Sequence, residues 1–472
     1  MTKIHFLYLL AAAFTSNLYA QEPWDLQKCI QTGCENSLAI QQANLNLSQS
    51  NLSARQAQYS LYPTLNATVQ EGFNAGRSID LTSYQFVNQF MHSTAISLGG
   101  NMILYNGGQL KNTIAQTKLN QQASSQDLEQ AKNTLGLSIA QAYLTVLLAE
   151  ENLDVLKAQL KATQNQLDRI NRLISAGALP ENNKYDLEAQ IARDEQNIVN
   201  AENNVTAAYL SLQTLMNYNV NANELIRIAK IDWANLPVYE PVSSSQVYKE
   251  AIERQPNYQA AQLRQQAAAT SVMIAKGALL PTVSLYLNVA TNYASTGQRF
   301  TGDTSTVFQN FNGSINGSPF QLSIPQTIAT RELSPYFYQI GNNFRQSFGV
   351  NVNIPLFNGY QSRIRIQQAE LSVKSAQLSI NQIQNQLQND INQAVNNLQA
   401  AQKRLAAAER TLKSTNAALQ NSNKRYELGL INSFELLSVQ NSLVAAQSNL
   451  LQARYDLLFR TKIVDFYRGI AL

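Results

Sequence analysis

Apolar residues along this chain keep two different rhythms. Leu135, Ile139, Ala142, Val146, Ala149, Leu153, Leu156, Leu160, Thr163, Leu167, Ile170 and Ile174 are separated by four and three residues in strict alternation. Leu387, Ile391, Ala394, Leu398, Ala401, Leu405, Ala408, Leu412, Thr415, Leu419, Ser422 and Tyr426 repeat the series. Alternating steps of four and three keep one narrow stripe on a helix face, which is the seam of a coiled coil. The first series predicts a helix reaching from Asn106 to Ser175, about 105 Å at 1.5 Å per residue, and the second predicts its equal. Small seam residues such as Ala142, Ala149 and Ala394 let neighbouring helices approach closely. Gly177 with Pro180, and Gly429, then end these helices and start antiparallel returns.

Just before each long helix the rhythm changes to a period of two. Ile96, Leu98, Met102 and Leu104 alternate with Ser97, Gly99 and Asn101, and Leu65, Ala67 and Val69 alternate in the same way. Their counterparts are Val283, Leu285, Leu287 and Val289, and Phe348, Val350, Val352, Ile354 and Leu356. The pattern predicts four strands per chain of about ten residues, apolar on one face and polar on the other, as in a membrane β-barrel. The connections at 84–92 and 294–343 are expected to be loops, the second rich in Gly, Ser, Thr and Asn and carrying Phe300, Phe308 and Phe311. Four strands cannot close a barrel, and an open edge is not tolerated in lipid. Known membrane barrels start at about eight strands. Two chains supply that minimum and give a filled interior, whereas three supply twelve strands and room for water. The sparsely charged, Gln- and Asn-rich helices suit a water-filled tube, so the expectation is a homotrimer with a twelve-stranded barrel and an α-barrel of coiled-coil helices.

The two halves are related. "LYNGGQLKN" at 104–112 matches "LFNGYQSRI" at 356–364, and Gly177 matches Gly429, both at an offset of 252 residues. Upstream the offset is 218: Pro63 matches Pro281, and "CENSLAIQQANL" at 34–45 matches "IERQPNYQAAQL" at 252–263. The chain therefore reads as an internal duplication with 34 residues inserted between Pro281 and Phe348. The expected organisation is a signal peptide at 1–20 and a first repeat at 21–217, tipped at 176–183. A linker or equatorial belt at 218–245, with Trp233, then leads to a second repeat at 246–472, tipped at 428–435 with an external loop at 294–343.

Composition narrows the function. Lys3, the apolar run Phe6–Phe14 and "NLYA" before Gln21 form an export signal with cleavage after Ala20. No cysteine follows that run closely, so a lipid anchor is not expected. Beyond it no stretch reaches the ~18 apolar residues of a membrane helix, and any crossing falls to the strands. Charged residues are only 14%, against about 25% in typical domains, and the near balance of 35 basic and 31 acidic residues gives no reason to expect nucleic acid. Cys29 and Cys34 stand five apart on a predicted helix, too far for an easy disulfide. At the 218 offset they match Val247 and Ile252, as small buried apolar side chains would. With the leader removed only His92 remains among the histidines. No catalytic, metal-binding or cofactor-binding constellation is expected, and the protein does not read as an enzyme.

Taken with the duplication, the "LFNG" junction at 356–359 and the "RYELGLINSFELLSVQNSLVAAQ" turn at 425–447, the mature chain resembles the TolC family of outer-membrane efflux ducts. The resemblance implies a trimer in the outer membrane of a Gram-negative bacterium. Its barrel would continue into a twelve-helix periplasmic tunnel that passively conducts substrates of a tripartite efflux pump. It implies contact with outer-membrane lipids, a periplasmic adaptor (membrane fusion) protein docked at Gly177, Ala178, Gly429 and Leu430, and an inner-membrane pump reached through that adaptor. Acidic residues found in the family six and nine positions past the second tip glycine correspond to Glu435 and Ser438, and the acid six past the first corresponds to Asn183. These three residues are the implied constriction. Tyr426 and Ile431, the latter in place of an arginine, are the implied tip closure. One retained acid implies a less ionic lock. Two alternatives stand beside it: the exit duct of a type I protein-secretion system, which has the same fold and which nothing in the sequence separates from a drug duct, and a coiled-coil surface or structural protein, which needs no alternating strands.

Overall fold

A computed structural model describes residues 23–79, 86–218, 226–231 and 242–470. The expected leader, the Tyr84 end of the first loop, and Trp233 with the following "LPVYEP" stretch lie outside the described residues. In chain order the elements are α1 (Leu26–Asn36), α2 (Leu38–Tyr59), β1 (Thr64–Ile79), β2 (Phe86–Asn106), α3 (Gln109–Ser175), α4 (Tyr185–Leu215), α5 (Ser244–Ile252), α6 (Pro256–Gly277), β3 (Thr282–Ala294), β4 (Gln298–Ile315), β5 (Ser318–Leu333), α7 (Tyr336–Asn342), β6 (Arg345–Asn353), α8 (Gln361–Glu427) and α9 (Ser433–Arg468). The fold is mainly helical with antiparallel strands. It divides into a helical unit (Met1–Leu52, Lys118–Ala267, Ser372–Leu472) and a strand-bearing unit (Ser53–Thr117, Ala268–Leu371). Both α3 and α8 are 67 residues long, about 100 Å of helix each.

In the helical unit the seams bury what their spacing selects. Between Lys403 and Glu427 of α8, Leu405, Ala408, Leu412, Thr415, Leu419, Ser422 and Tyr426 are half-buried and every other residue is exposed. Two apolar cores use matching positions. One joins Cys29 of α1 to Ile139, Tyr143 and Val146 of α3, Leu212 of α4 and Tyr455 of α9. The other joins Val247 and Ala251 of α5 to Ile391, Val395 and Leu398 of α8 and Val464 of α9. Buried hydroxyls in the first core find partners, as burial demands. Tyr143 donates to the Ala229 carbonyl at 2.7 Å, Tyr209 to Glu150 at 2.6 Å and Tyr455 to Glu151 at 2.6 Å. The described part of the expected belt, 226–231, is tied to Trp24 by backbone hydrogen bonds of 2.8 Å on either side.

In the strand-bearing unit β1, β2, β3 and β6 form one antiparallel sheet in that order. Directly opposed residues share a face. Leu65, Ala67 and Val69 oppose Gly100, Leu98 and Ile96; Leu98 opposes Val289; Leu285 and Leu287 oppose Val350 and Phe348. The other face carries Asn66, Thr68, Gln70, Ser97, Asn101, Asn288 and Asn351. The apolar face is bare: Leu65, Val69 and Phe348 are 65%, 69% and 82% exposed.

Four expectations about the strands are corrected. Phe86–His92 is strand rather than loop, because the ribbon of β1 and β2 continues to the Ile79–Phe86 pair. Aromatic contacts hold it, with Phe73 stacked on Phe90 at 5.9 Å and Arg77 over Phe86 at 4.5 Å. β6 stops at Asn353, so Ile354 and Leu356 lie outside the sheet, where Pro355 has no N–H to donate. Leu104 falls at a register shift between Ile103 and Tyr105 and does not extend the alternation. Most of 294–343 is a second hairpin, β4–β5, followed by α7. Asn316 and Gly317 turn it with φ of 52° and 81°, the two left-handed residues of a type I′ turn.

The cysteines differ in a way that can be measured. Cys29 is fully buried, and burial pushes its thiol up to about 12; Cys34 is half-buried and also raised by burial; both are free. A thiol reacts as its thiolate. A maleimide added to folded protein should therefore modify Cys34 before Cys29, and mass spectrometry of the peptides should find Cys29 modified only after denaturation. Equal rates would contradict the packing of α1 on α3.

Candidate functional site

Each long helix of the helical unit ends in the same way. Gly177 and Gly429 have φ of 71° and 72°, a conformation that costs side-chain-bearing residues about 1 kcal/mol or more. Behind Gly177 the amides of Gly177 and Ala178 donate to the Ile174 and Leu173 carbonyls, and behind Gly429 those of Gly429 and Leu430 donate to Tyr426 and Arg425. These are Schellman caps, which satisfy the last helical carbonyls. Nothing lies within 4 Å of a Cβ built on either glycine, so backbone conformation, not space, demands glycine. The returns differ. The first passes through Pro180 and a short 3₁₀ turn, Glu181–Lys184, into α4. The second starts α9 at once, with Asn432 accepting a 2.9 Å bond from the Glu435 amide, an N-cap that satisfies an otherwise free donor.

The two tips pack on each other through Ile170, Leu187 and Leu437, flanked by Leu167, Ile174, Leu179 and Tyr426. Beside this small core a groove of about 620 Å³ brings together most of the candidates: Ala178, Asn183, Tyr426, Gly429, Leu430, Ile431 and Glu435, with Arg169 and Glu427. Arg169 and Glu427 approach to 3.5 Å, and both are more than half exposed, so the pair contributes little. Tyr426 is half-buried; burial raises its hydroxyl pKa and nearby Arg169 partly opposes this. Ile431 is buried beside the groove. Glu435 is exposed in the first turn of α9, where the helix dipole favours an anion. Ser438 is not in this groove: it faces a neighbouring one with Asp186, Arg193 and Asn441. Gly177 is exposed at the outermost turn. Leu428, Leu430 and Phe434 stand 74%, 65% and 70% exposed, a bare apolar tip.

Above the tips lies a polar column that the heptad pattern did not disclose. Asp194 of α4 is buried, accepting from Thr163 at 2.9 Å and Gln190 at 2.7 Å. Gln190 in turn accepts from Arg193 at 2.9 Å and Asn441 at 3.4 Å. Gln440 donates to Gln166 at 2.9 Å, and Ser448 to Asn152 at 2.8 Å. These bonds stitch α3, α4 and α9 and set their register, a role well attested for polar groups in coiled coils. The available signal was Thr163, a hydroxyl on an apolar seam.

Comparison with known proteins agrees with this architecture. The outer membrane efflux protein family matches residues 29–218 and 337–460, well over half of the chain. Outer membrane protein TolC of Escherichia coli is 24% identical over 241 residues, 50% of this chain and 48% of that protein. TolC of Vibrio cholerae is 25% identical over 313 residues, 66% of this chain and 60% of that protein. The aligned region thus spans about half to three-fifths of these relatives. The solved structure of CusC, described as forming a transmembrane channel, superposes with a TM-score of 0.74 at 18% identity, covering 94% of this chain and 92% of CusC. The chain belongs to the outer membrane efflux protein family and is an outer-membrane protein whose long helices lie in the periplasm.

Proposed function

We propose that three copies of this chain assemble into a channel-tunnel that passively conducts the substrates of a tripartite efflux pump. The observation that carries the reading is the four-stranded sheet, apolar on one face, with unpaired outer edges on β1 and β6. In lipid those edges need partners, and other copies supply them. A row of rings runs Phe90, Phe73, His92, Tyr293, Tyr336 and Phe337, with successive centroids 4.7 to 5.9 Å apart, as the aromatic girdle of a barrel would. The helices support the same reading. Leu38, Leu45, Leu52 and Tyr59 of α2, and Ile364, Leu371 and Leu378 of α8, stand exposed at seven-residue spacing, heptad rows left uncovered by the described residues of one chain. The matched positions of the two apolar cores support descent from a duplication, with repeats at 21–217 and 246–472.

In this reading the exposed tips, Gly177 and Ala178 with Gly429 and Leu430, dock a periplasmic adaptor that leads to an inner-membrane pump. Tyr426 and Ile431 hold the tip closed, and Glu435, with Asn183 nearby and Ser438 one turn on, rings the narrowest point.

Three measurements test these proposals. Light scattering of detergent-solubilised protein should give a protein mass of three chains; one or two would remove the twelve-stranded barrel. At the tip, left-handed φ makes any substitution of Gly429 strained, so exposed Leu430 is the cleaner probe. Leu430→Asp should keep the trimer while weakening adaptor binding by roughly tenfold or more, about 1.4 kcal/mol; unchanged binding removes the docking role. In planar-bilayer recordings Glu435→Gln should reduce cation preference and block by multivalent cations. Unchanged selectivity would place Glu435 off the axis.

A further inference from the structure

The β4–β5 hairpin is amphipathic. Opposed pairs place Phe311, Ile315, Phe320, Leu322, Ile324 and Ile328 on one face. Each is between 43% and 63% exposed. The other face carries Thr306, Asn310 and Asn312 against Thr327, Ser323 and Gln321, with one exposed aromatic, Phe308, opposite Pro325. The hairpin pairs with no strand of the four-stranded sheet.

Its base is fixed rather than loose. Buried Gln339 of α7 accepts from the Ala294 amide at 3.0 Å and donates to the Ala294 and Ser334 carbonyls at 2.9 and 2.8 Å. The Ser334 amide donates to the Gly297 carbonyl, and Gly297 to Ala294, both at 2.9 Å. The hairpin therefore leaves the sheet in a set direction, just past Tyr293 of the aromatic row.

A two-stranded ribbon has unpaired backbone on both outer edges, so it cannot lie in hydrocarbon. It stands in water, where a two-stranded hairpin alone is marginal and an apolar patch of a few hundred Å² marks an interface. Three observations choose the occupant. From Thr304 to Thr330 there is no charged residue, Trp or Tyr, which removes both the anchors of a lipid-surface element and recognition of a charged partner. The two-residue turn directs the odd-numbered amides of β5 outward, and Pro319 and Pro325 stand at two of those positions, so sheet extension along β5 is blocked. A symmetric assembly sets one such face from each chain around one axis.

We propose that the apolar face of β4–β5 packs against the same face of the other copies of this chain, forming a cap over the outer mouth of the channel. The proposal rests on the trimeric reading above, and the test separates the two. Leu322→Cys on the apolar face and Gln321→Cys on the polar face are made in full-length protein carrying Cys34→Ser, and the purified protein is mildly oxidised. Leu322→Cys should form covalent dimers at least tenfold faster than Gln321→Cys. Equal or absent cross-linking in protein that light scattering shows to be trimeric would overturn the cap and leave the channel reading standing; a monomeric mass would overturn both. A polarity-sensitive fluorophore on Leu322→Cys in phosphatidylcholine vesicles gives an independent readout. Insensitivity to lipid-borne quenchers with blue-shifted emission supports the cap, whereas strong quenching would assign the face to lipid and overturn it.

Discussion

The constraint on which this structure depends is the backbone at the two edges of one small sheet. β1 and β6 each present an outer row of N–H and C=O groups that pairs with no strand among the described residues, and the sheet's apolar face suits a bilayer. Water can satisfy a strand edge in solution but not in hydrocarbon. A soluble sheet would blunt its edges with charge or proline. Here the described residues of β1 between Thr64 and Phe73 include a single charge, Glu71, and Glu71 is bonded to His92 and Thr94 of the adjacent strand. The edges are left able to pair.

The proposed self-association accounts for features that are otherwise wasteful. An exposed heptad row on α2 and another on α8 cost solubility unless covered, and the seam of α8 from Leu405 to Tyr426 is only half-buried. The same logic extends to the hairpin inserted between β3 and β6, whose apolar face has no use in a lone chain. The polar column around Asp194 adds register: apolar seams of Leu and Ala slide readily, whereas Thr163, Gln190, Gln166 and Gln440 pair in one alignment only.

Much of this was legible in the residues. The four-three step marked the seam down to individual residues of α8, the two tip glycines have the left-handed φ that their position after the seam implied, and period two separated the sheet's faces. What was missed has physical reasons. The segment 298–333 has the composition of a loop, which hides the hairpin, although Asn316-Gly317 between alternating residues is a turn signal. Pairing ended before Pro355, and the bulge near Leu104 shifted the register, where hydropathy alone continued. Asp194 escaped because its burial depends on Thr163, 31 residues away on another helix, a relation that no single-helix periodicity contains. Ser438 and Glu435, one turn apart, face different grooves, which only the packing of α9 decides.

The most direct test of edge pairing is hydrogen exchange on detergent-solubilised protein, read by mass spectrometry on peptides covering Thr64–Phe73 of β1 and Arg345–Asn353 of β6. If other copies complete the sheet, amides in both peptides should be protected as strongly as those of the central strands β2 and β3. If about half of the amides in each peptide exchange within seconds while β2 and β3 stay protected, the edges are free and the account of a barrel closed by self-association is wrong.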